Sequence, residues 1–374
     1  MTSVTWPQVL AWRMRRQFVE RPADQPAEEV ARRLAGVQAQ VASAAERAVT
    51  LRQARLGRAD AGRADVARAD VARALFDDRT LVKTWTMRGT LHLMPADEAA
   101  AYLVLCGAVR NWEKPSWQKA FGATPADLEA IAGAAREALA GGAALTRAEL
   151  TTAVVERTGS RHLAEVLGSG WGTLLKPLAW WGVLCHGPSQ GTRVTFTAPE
   201  CWLPGWTGLP AVEDAARTVI RAFLGAHGPA TPDMFDNWLM RKGNRKKDVR
   251  AWFTAAEDDL STIDVDGVEM YVLREHRDEL MDTAPSTSVR LLGAFDQYVL
   301  GAGTSATYLV PTERRKEVSR TAGWISPVVL YEGRVAGVWE AKDGDVVVEP
   351  FEDIPVARLK DEIDRLRSLL DSRA

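Results

Sequence analysis

The chain has 374 residues, 46% of them hydrophobic and 26% charged, with a formal net charge of −2 at pH 7. That length exceeds one small core and implies roughly two or three units, and the ordinary globular composition excludes general disorder. Three scattered cysteines (Cys106, Cys185, Cys201) give neither a disulfide framework nor paired zinc ligands; with no bilayer-length apolar segment and no signal-peptide stretch from Met1 to Arg16, they imply a soluble cytoplasmic protein.

The first unit, residues 1–123, carries helical patterns from Pro7 to Glu20 and from Ala27 to Leu34, then a helix starting at Ser43. Two β-prone runs, Leu81 to Thr86 and Thr90 to Met94, flank Arg88-Gly89, which reads as a turn. The second unit, 124–208, predicts helices over Ala126 to Ala140, Arg147 to Arg157 and Gly170 to Trp181. Thr124 is positioned to cap the first of these; Thr146, with Glu149 at capping-box spacing, is positioned to cap the second. Its strands, Gly182 to Gly187 and Thr192 to Phe196, pair across Gly-Pro-Ser-Gln-Gly. The third unit, 209–284, predicts helices from Val212 to about Leu224, Pro232 to Met240 and Lys247 to Ala256. Its strands Leu260 to Val265 and Glu269 to Leu273 turn at Asp266-Gly267.

Helices followed by a hairpin, three times over, have the form of tandem winged helix-turn-helix units, so the fold class is mainly α with β-hairpin wings, α+β. After the linker-like Thr283-Ala284-Pro285-Ser286, a β-rich segment (285–374) predicts strands Val289 to Leu300, Val328 to Tyr331, Val335 to Trp339 and Val346 to Val348, and a final helix, Val356 to Leu370. The triplet Arg-Ala-Asp recurs at 58, 63 and 68. A five-residue period builds no single helical face, so the repeat reads as a solvated, alanine-rich helix or loop.

Binding to nucleic acid depends on where charge sits rather than on its sum. Arg241 to Arg250 holds six cations (among them Lys242, Arg245, Lys246 and Lys247) against one anion, while acids gather at Glu349 to Asp353 and Asp361 to Asp364. From this segment alone, a solvated helix face is an equally good reading. The five histidines show no metal-ligand spacing, and no phosphate loop or nucleophile elbow is present. Phosphoryl transfer, zinc hydrolysis and serine esterase chemistry are disfavoured, and no metal or cofactor is expected.

Gln38-Ala39-Gln40 lies between a helix expected to stop at Gly36, a favoured C′ residue, and one expected to start at the Ser43–Glu46 capping box. In extended backbone, residues two apart point the same way, so both carboxamides can aim at one spot. The same residues could simply satisfy orphan helix-end groups, and spacing alone favours that plainer role.

Leu10 to Arg13, Gly36 to Val41, Leu81 to Leu93, Phe295 to Leu300 and Gly323 to Pro327 together resemble the AlkZ-type winged-helix DNA glycosylases, over nearly the whole chain. The resemblance implies three tandem winged helices in a C around double-stranded DNA and a catalytic Gln-apolar-Gln, whose positions Gln38 and Gln40 match. Gln40 sets the chain apart from a sibling branch with Gln-apolar-Asp, and the Arg-Ala-Asp expansion departs from the family pattern. The resemblance also implies a hairpin that probes DNA beside the lesion; Val328 to Trp339, turning at Glu332-Gly333, and the turn Pro188 to Gly191 are the two candidates.

Glutamine neither donates a full proton nor acts as a strong base, so two glutamines suit a leaving group already activated by charge, such as an N7- or N3-alkylated purine. Arg88, beside a hairpin turn, is a candidate phosphate contact, and Lys242, Arg245, Lys246 and Lys247 would add salt-dependent affinity. Asp296 reads as structural rather than catalytic, and most of Trp85, Trp171, Trp180, Trp181, Trp324 and Trp339 as core or groove-lining. The rival reading is a winged-helix regulator or architectural DNA binder without catalysis; such a regulator usually dimerises, whereas three units in one chain suit a monomer.

Overall fold

The computed structural model describes residues 3–54, 63–168, 172–342 and 345–370. Strand β1 (Ser3–Val4) and helix α1 (Trp6–Arg16) open the chain. The first unit continues through α2 (Ala27–Arg33), β2 (Val37–Gln38), α3 (Ala42–Thr50), α4 (Arg63–Phe76), β3 (Leu81–Trp85) and β4 (Leu91–Pro95). Its sheet has the order β2-β4-β3, so the short strand preceding the helices forms one edge. Helices α5 (Ala99–Gly107) and α6 (Pro115–Phe121) complete it and were not expected. Helix α5 buries Ala99, Ala101, Tyr102, Leu103, Leu105 and Cys106, so it lacks the polar face that would reveal a helical period.

The second unit comprises α7 (Pro125–Leu139), β5 (Leu145–Thr146), α8 (Arg147–Thr158), α9 (Arg161–Gly168), α10 (Leu175–Trp180), β6 (Cys185–Gln190), β7 (Arg193–Thr197) and α11 (Pro199–Trp202), with sheet order β5-β7-β6. Both expected caps form: Asp127 N–H donates to Thr124 Oγ1 at 3.2 Å and Glu149 N–H to Thr146 Oγ1 at 3.4 Å. The helix expected from Gly170 starts instead at Leu175; Gly170 and Trp171 lie outside the described residues.

The third unit runs through α12 (Val212–His227), α13 (Pro232–Met240), α14 (Lys246–Ala255), β8 (Leu260–Val265), β9 (Val268–Leu273) and α15 (Arg277–Met281). A bridge from Ala230 to Tyr271 stands where β2 and β5 stand in the other units. Strand β1 pairs in parallel with β8, and Val4, Val9 and Trp12 share a core with Ile263, Val265 and Val272. The start of the chain, grouped with the first unit by sequence order, therefore packs on the third.

The remainder holds β10 (Val289–Leu292), α16 (Gln297–Ala302), α17 (Arg315–Val318), β11 (Val328–Tyr331), β12 (Arg334–Lys342), β13 (Asp345–Pro350) and α18 (Val356–Leu370), with one antiparallel sheet in chain order. The strand expected to reach Leu300 stops at Leu292. Asp296 accepts from Tyr298 N–H at 2.9 Å and starts a helix there; a short apolar run such as Tyr298-Val299-Leu300 does not distinguish helix from strand.

One continuous core joins Val82, Trp85 and Met94 of the first sheet to Leu128, Leu178, Phe223 and Trp238 of the other units. Of the Arg-Ala-Asp triplets, Arg58 to Asp60 lie outside the described residues. The last one is put to use: Asp70 Oδ2 accepts from the Ala27 N–H at 2.9 Å and from Gln53 Nε2 at 2.8 Å, holding the start of α2.

Candidate active site

The approach to Gln38 is set by how α2 ends. Gly36 N–H donates to Ala31 O at 2.8 Å and Ala35 N–H to Arg32 O at 3.0 Å, a Schellman closure. Ala35, with φ 55°, takes the C′ place expected of Gly36. Gly36 is required one step later. Its φ is +98°, and a Cβ there would lie 2.5 Å from Met94 Sδ and 3.0 Å from Met87 Cε. The tight closure swings the chain at once into β2. On the far side, α3 starts at Ala42 with Val41 as its cap residue. The capping box expected at Ser43 does not form, because the helix starts one residue earlier and leaves Ser43 inside its first turn; Glu46 instead accepts from Arg68 Nε at 3.2 Å.

Gln38 thus sits on an edge strand and pairs with His92 of β4, which in turn pairs with Thr84 of β3. Directly opposite residues of antiparallel strands project from the same face, so Gln38, His92 and Thr84 form one row. Their relative exposures are 7%, 0% and 1%. His92 Nδ1 lies 3.0 Å from Thr90 O, while His92 Nε2 and Thr84 Oγ1 are buried with no hydrogen-bond partner. Burial, with the Arg88 charge nearby, pushes the His92 pKa down to about 3. Among the described residues Gln38 makes no side-chain hydrogen bond. Ala39 N–H continues the ladder to Leu91 O at 2.7 Å. Gln40 is exposed, and its Oε1 receives a long contact, 3.5 Å, from Leu91 N–H.

Arg88 does not stand out into solvent as a cation at a free hairpin tip would. Its Nη1 donates to Trp238 O, in the last turn of α13, at 2.6 Å, and its Nη2 is buried without a partner. Burial, aided by the charge of Arg241, lowers its pKa to about 10. Lys176 of α10 packs on the adjoining Gly89, and Trp180 Nε1 donates to Trp85 O at 3.0 Å. The first hairpin is therefore the junction of all three units.

The turn from α13 to α14 adjoins that junction. Lys242, Arg245, Lys246 and Lys247 are exposed there and form no salt bridge among the described residues. Arg241 and Lys242 both adopt positive φ, 56° and 60°. The turn is braced from behind by Asp236, which accepts from Asn244 Nδ2 at 2.6 Å and from Asn244 N–H at 3.3 Å.

Asp296 is fully engaged with Arg52, at 2.7 and 2.8 Å, and with the start of α16. The turn at Glu332-Gly333 is docked, since Tyr298 OH donates to Gly333 O at 2.8 Å and Glu332 N–H to Ser288 O at 3.1 Å. The tip from Ser189 to Val194 is exposed, as are Glu340 to Lys342 at the end of β12. Trp85, Trp180 and Trp339 are core residues, whereas Trp324 is 44% exposed and meets Phe295 edge-on. Sequence reasoning passed over His92, which carried no metal spacing; its place opposite Gln38 becomes visible only with the strand register.

Chemically, neutral carboxamides offer dipoles and hydrogen bonds but no proton transfer. Among the described residues, no group of His, Cys, Asp and Glu is arranged to hold a metal ion, and no helix is long and apolar enough to cross a membrane.

A family profile described as DNA glycosylase AlkZ-like matches residues 31–369. The chain is 47% identical over 366 residues to a Streptomyces sahachiroi protein named interstrand DNA cross-link repair glycosylase, spanning 96% of this chain and 94% of that one. It also matches the solved structure of Streptomyces sahachiroi DNA glycosylase AlkZ with a TM-score of 0.91 and 45% identity, covering 99% of this chain and 97% of the other.

Proposed function

Given that the chain belongs to the AlkZ-like DNA glycosylase family, we propose that it hydrolyses the N-glycosidic bond of bulky, cationic N7- or N3-alkylated purines. The reading extends to unhooking interstrand crosslinks; its Streptomyces sahachiroi relative is named an interstrand DNA cross-link repair glycosylase. Membership in a glycosylase family sets aside a regulator without catalysis.

The observation that carries the proposal is Gln38: nearly buried, on an edge strand, and with no hydrogen bond of its own among the described residues. The rest of the side chain is packed, yet neither carboxamide atom is sealed from solvent, so the amide is open to a bound partner. In the proposed reaction the C1′–N bond breaks and its electron pair goes to the purine, cancelling the positive charge of the base. A water adds to C1′ of the oxocarbenium-like sugar and its proton passes to solvent. The Gln38 and Gln40 oxygens orient that water and face the developing cation, while their NH2 groups hold sugar or phosphate oxygens. The base needs no acid because alkylation has already supplied the charge.

Lys242, Arg245, Lys246 and Lys247 bind the DNA backbone in this reading, and one chain embraces the duplex as a monomer. The three helix-and-hairpin units act as winged helices around an open cleft, which admits adducts too large for a snug pocket. The test is release of abasic sites from DNA alkylated at guanine N7, comparing wild type with Gln38→Ala and Gln40→Ala. Both variants should lose most activity, and uracil in DNA should be left uncut. Wild-type rates in both variants, or rapid uracil excision, would overturn the proposal.

A further inference from the structure

We propose that His92 positions Gln38: when damaged DNA occupies the site, His92 Nε2 accepts a hydrogen bond from one N–H of the Gln38 carboxamide, which turns Gln38 Oε1 toward the water and the sugar and leaves the second N–H for a sugar or phosphate oxygen. The proposal rests on the reading of Gln38 as a reacting-site residue and assigns the group that aims it.

Gln38 and His92 are directly paired across β2 and β4, so their side chains are nearest neighbours on one face of the sheet. The tautomer follows from the other ring nitrogen. Thr90 O, 3.0 Å from His92 Nδ1, can only accept, so Nδ1 carries the proton and Nε2 presents a lone pair. That lone pair is wholly buried and unpartnered. An acceptor of fixed direction therefore lies beside a carboxamide whose NH2 has no partner among the described residues. A carboxamide can rotate end for end, and only one orientation presents oxygen to a cation. An acceptor that takes the NH2 end selects that orientation. Because the ring is buried and close to the Arg88 cation, it remains neutral and keeps the acceptor available.

Two other donors compete for Nε2: Thr84 Oγ1–H, on the far side of the same row, and Arg88 Nη2–H, both buried and unpartnered. If either takes the lone pair, His92 does nothing through Gln38. A double-mutant cycle separates the cases.

The full-length protein is compared with His92→Phe, His92→Gln, Gln38→Ala and the His92→Phe/Gln38→Ala pair. The readouts are the single-turnover rate on N7-alkylguanine DNA, the Kd for that DNA and the unfolding midpoint. His92→Phe should slow the single-turnover step about 10- to 100-fold, the range typical of groups that orient a reacting ligand, with Kd unchanged. Glutamine, whose Oε1 can stand in for Nε2, should recover most of the loss. On the Gln38→Ala background His92→Phe should have no further effect. Full rate in folded His92→Phe, or equal losses on both backgrounds, overturns this proposal and leaves the Gln38 reading standing. Full rate in Gln38→Ala alone refutes that underlying reading instead. If His92→Phe does not fold, nitrogen NMR of the native histidines decides. The His92 Nε2 resonance should shift on adding DNA and fail to do so in Gln38→Ala; no shift, or the same shift in that variant, overturns the proposal.

Discussion

Arg52 and Asp296, 244 residues apart in sequence, meet as a fully buried bidentate pair, Nη1 to Oδ2 at 2.8 Å and Nη2 to Oδ1 at 2.7 Å. Arg52 also donates to Gln17 O and Ala48 O at 2.9 Å each, so the pair ties the end of α3 to α1 and to the start of α16. Removing one partner of such a pair strands the other charge in the interior, at a cost of about 3–5 kcal/mol. Asp296→Asn should lower the urea midpoint accordingly, while the rate per folded molecule stays near wild type. A variant of unchanged stability with a collapsed single-turnover rate would instead make Asp296 a reacting group.

Gly36 offers a test of how the site is placed. With φ at +98° and Met94 Sδ 2.5 Å from where a Cβ would lie, Gly36→Ala combines backbone strain with a clash against the residue two places beyond His92 in β4. The expected cost is roughly 2 kcal/mol. Because Gln38 begins two residues on, the rate should fall even in the fully folded fraction. Stability loss with an unaltered rate would show that β2 holds its register without the glycine.

Much of this arrangement was legible in the sequence, and the exceptions have physical causes. The hairpin of β8 and β9 and the caps at Thr124 and Thr146 follow from alternation and short-range hydrogen bonds, which are local. Helix α5 escaped because it is apolar on every side. Ser43 misleads because the helix starts one residue before it, at Ala42 with Val41 as the cap residue, and a start shifted by one residue is not visible in the spacing. Arg88 reads as a phosphate contact because it adjoins a hairpin turn; only packing of the third unit against that turn half-buries it and engages its guanidinium. For the candidate site, Gln38-Ala39-Gln40 stood out as an extended link between helices. The row through His92 and Thr84 depends on strand register, which spacing alone does not supply.

Acid should expose the buried histidines. His92, His186 and His227 have folded pKa values of about 3, each lowered chiefly by burial, against 6.5 when unfolded. The folded state thus binds fewer protons than the unfolded one over that window. The stability each contributes is fully present above about pH 6.5 and is lost as pH falls toward 3, by up to about 1.4 kcal/mol per pH unit for each ring. Urea midpoints should fall from pH 7.5 to pH 5, and His186→Phe should flatten the fall. A midpoint that holds steady across that range would mean that the rings are already accessible to protons.

The basic turn carries a conflict between stability and binding that can be measured directly. Lys246 and Lys247 occupy the first turn of α14, where the helix dipole is positive and cations are disfavoured. No carboxylate offsets them by a salt bridge among the described residues. In a protein without a polyanionic partner, that placement is only a cost. Against DNA it becomes useful, because the same positive end and its free N–H groups favour phosphate. Lys247→Gln should therefore raise the unfolding midpoint while weakening DNA binding. It should also reduce the slope of log Kd against log salt by about 1, the release of roughly one counterion. Arg88→Met should leave that salt slope unchanged, because its Nη1 is held by Trp238 O and its Nη2 is buried away from solvent. A salt slope indifferent to Lys247 but sensitive to Arg88 would reverse the assignment and place the duplex on the first hairpin.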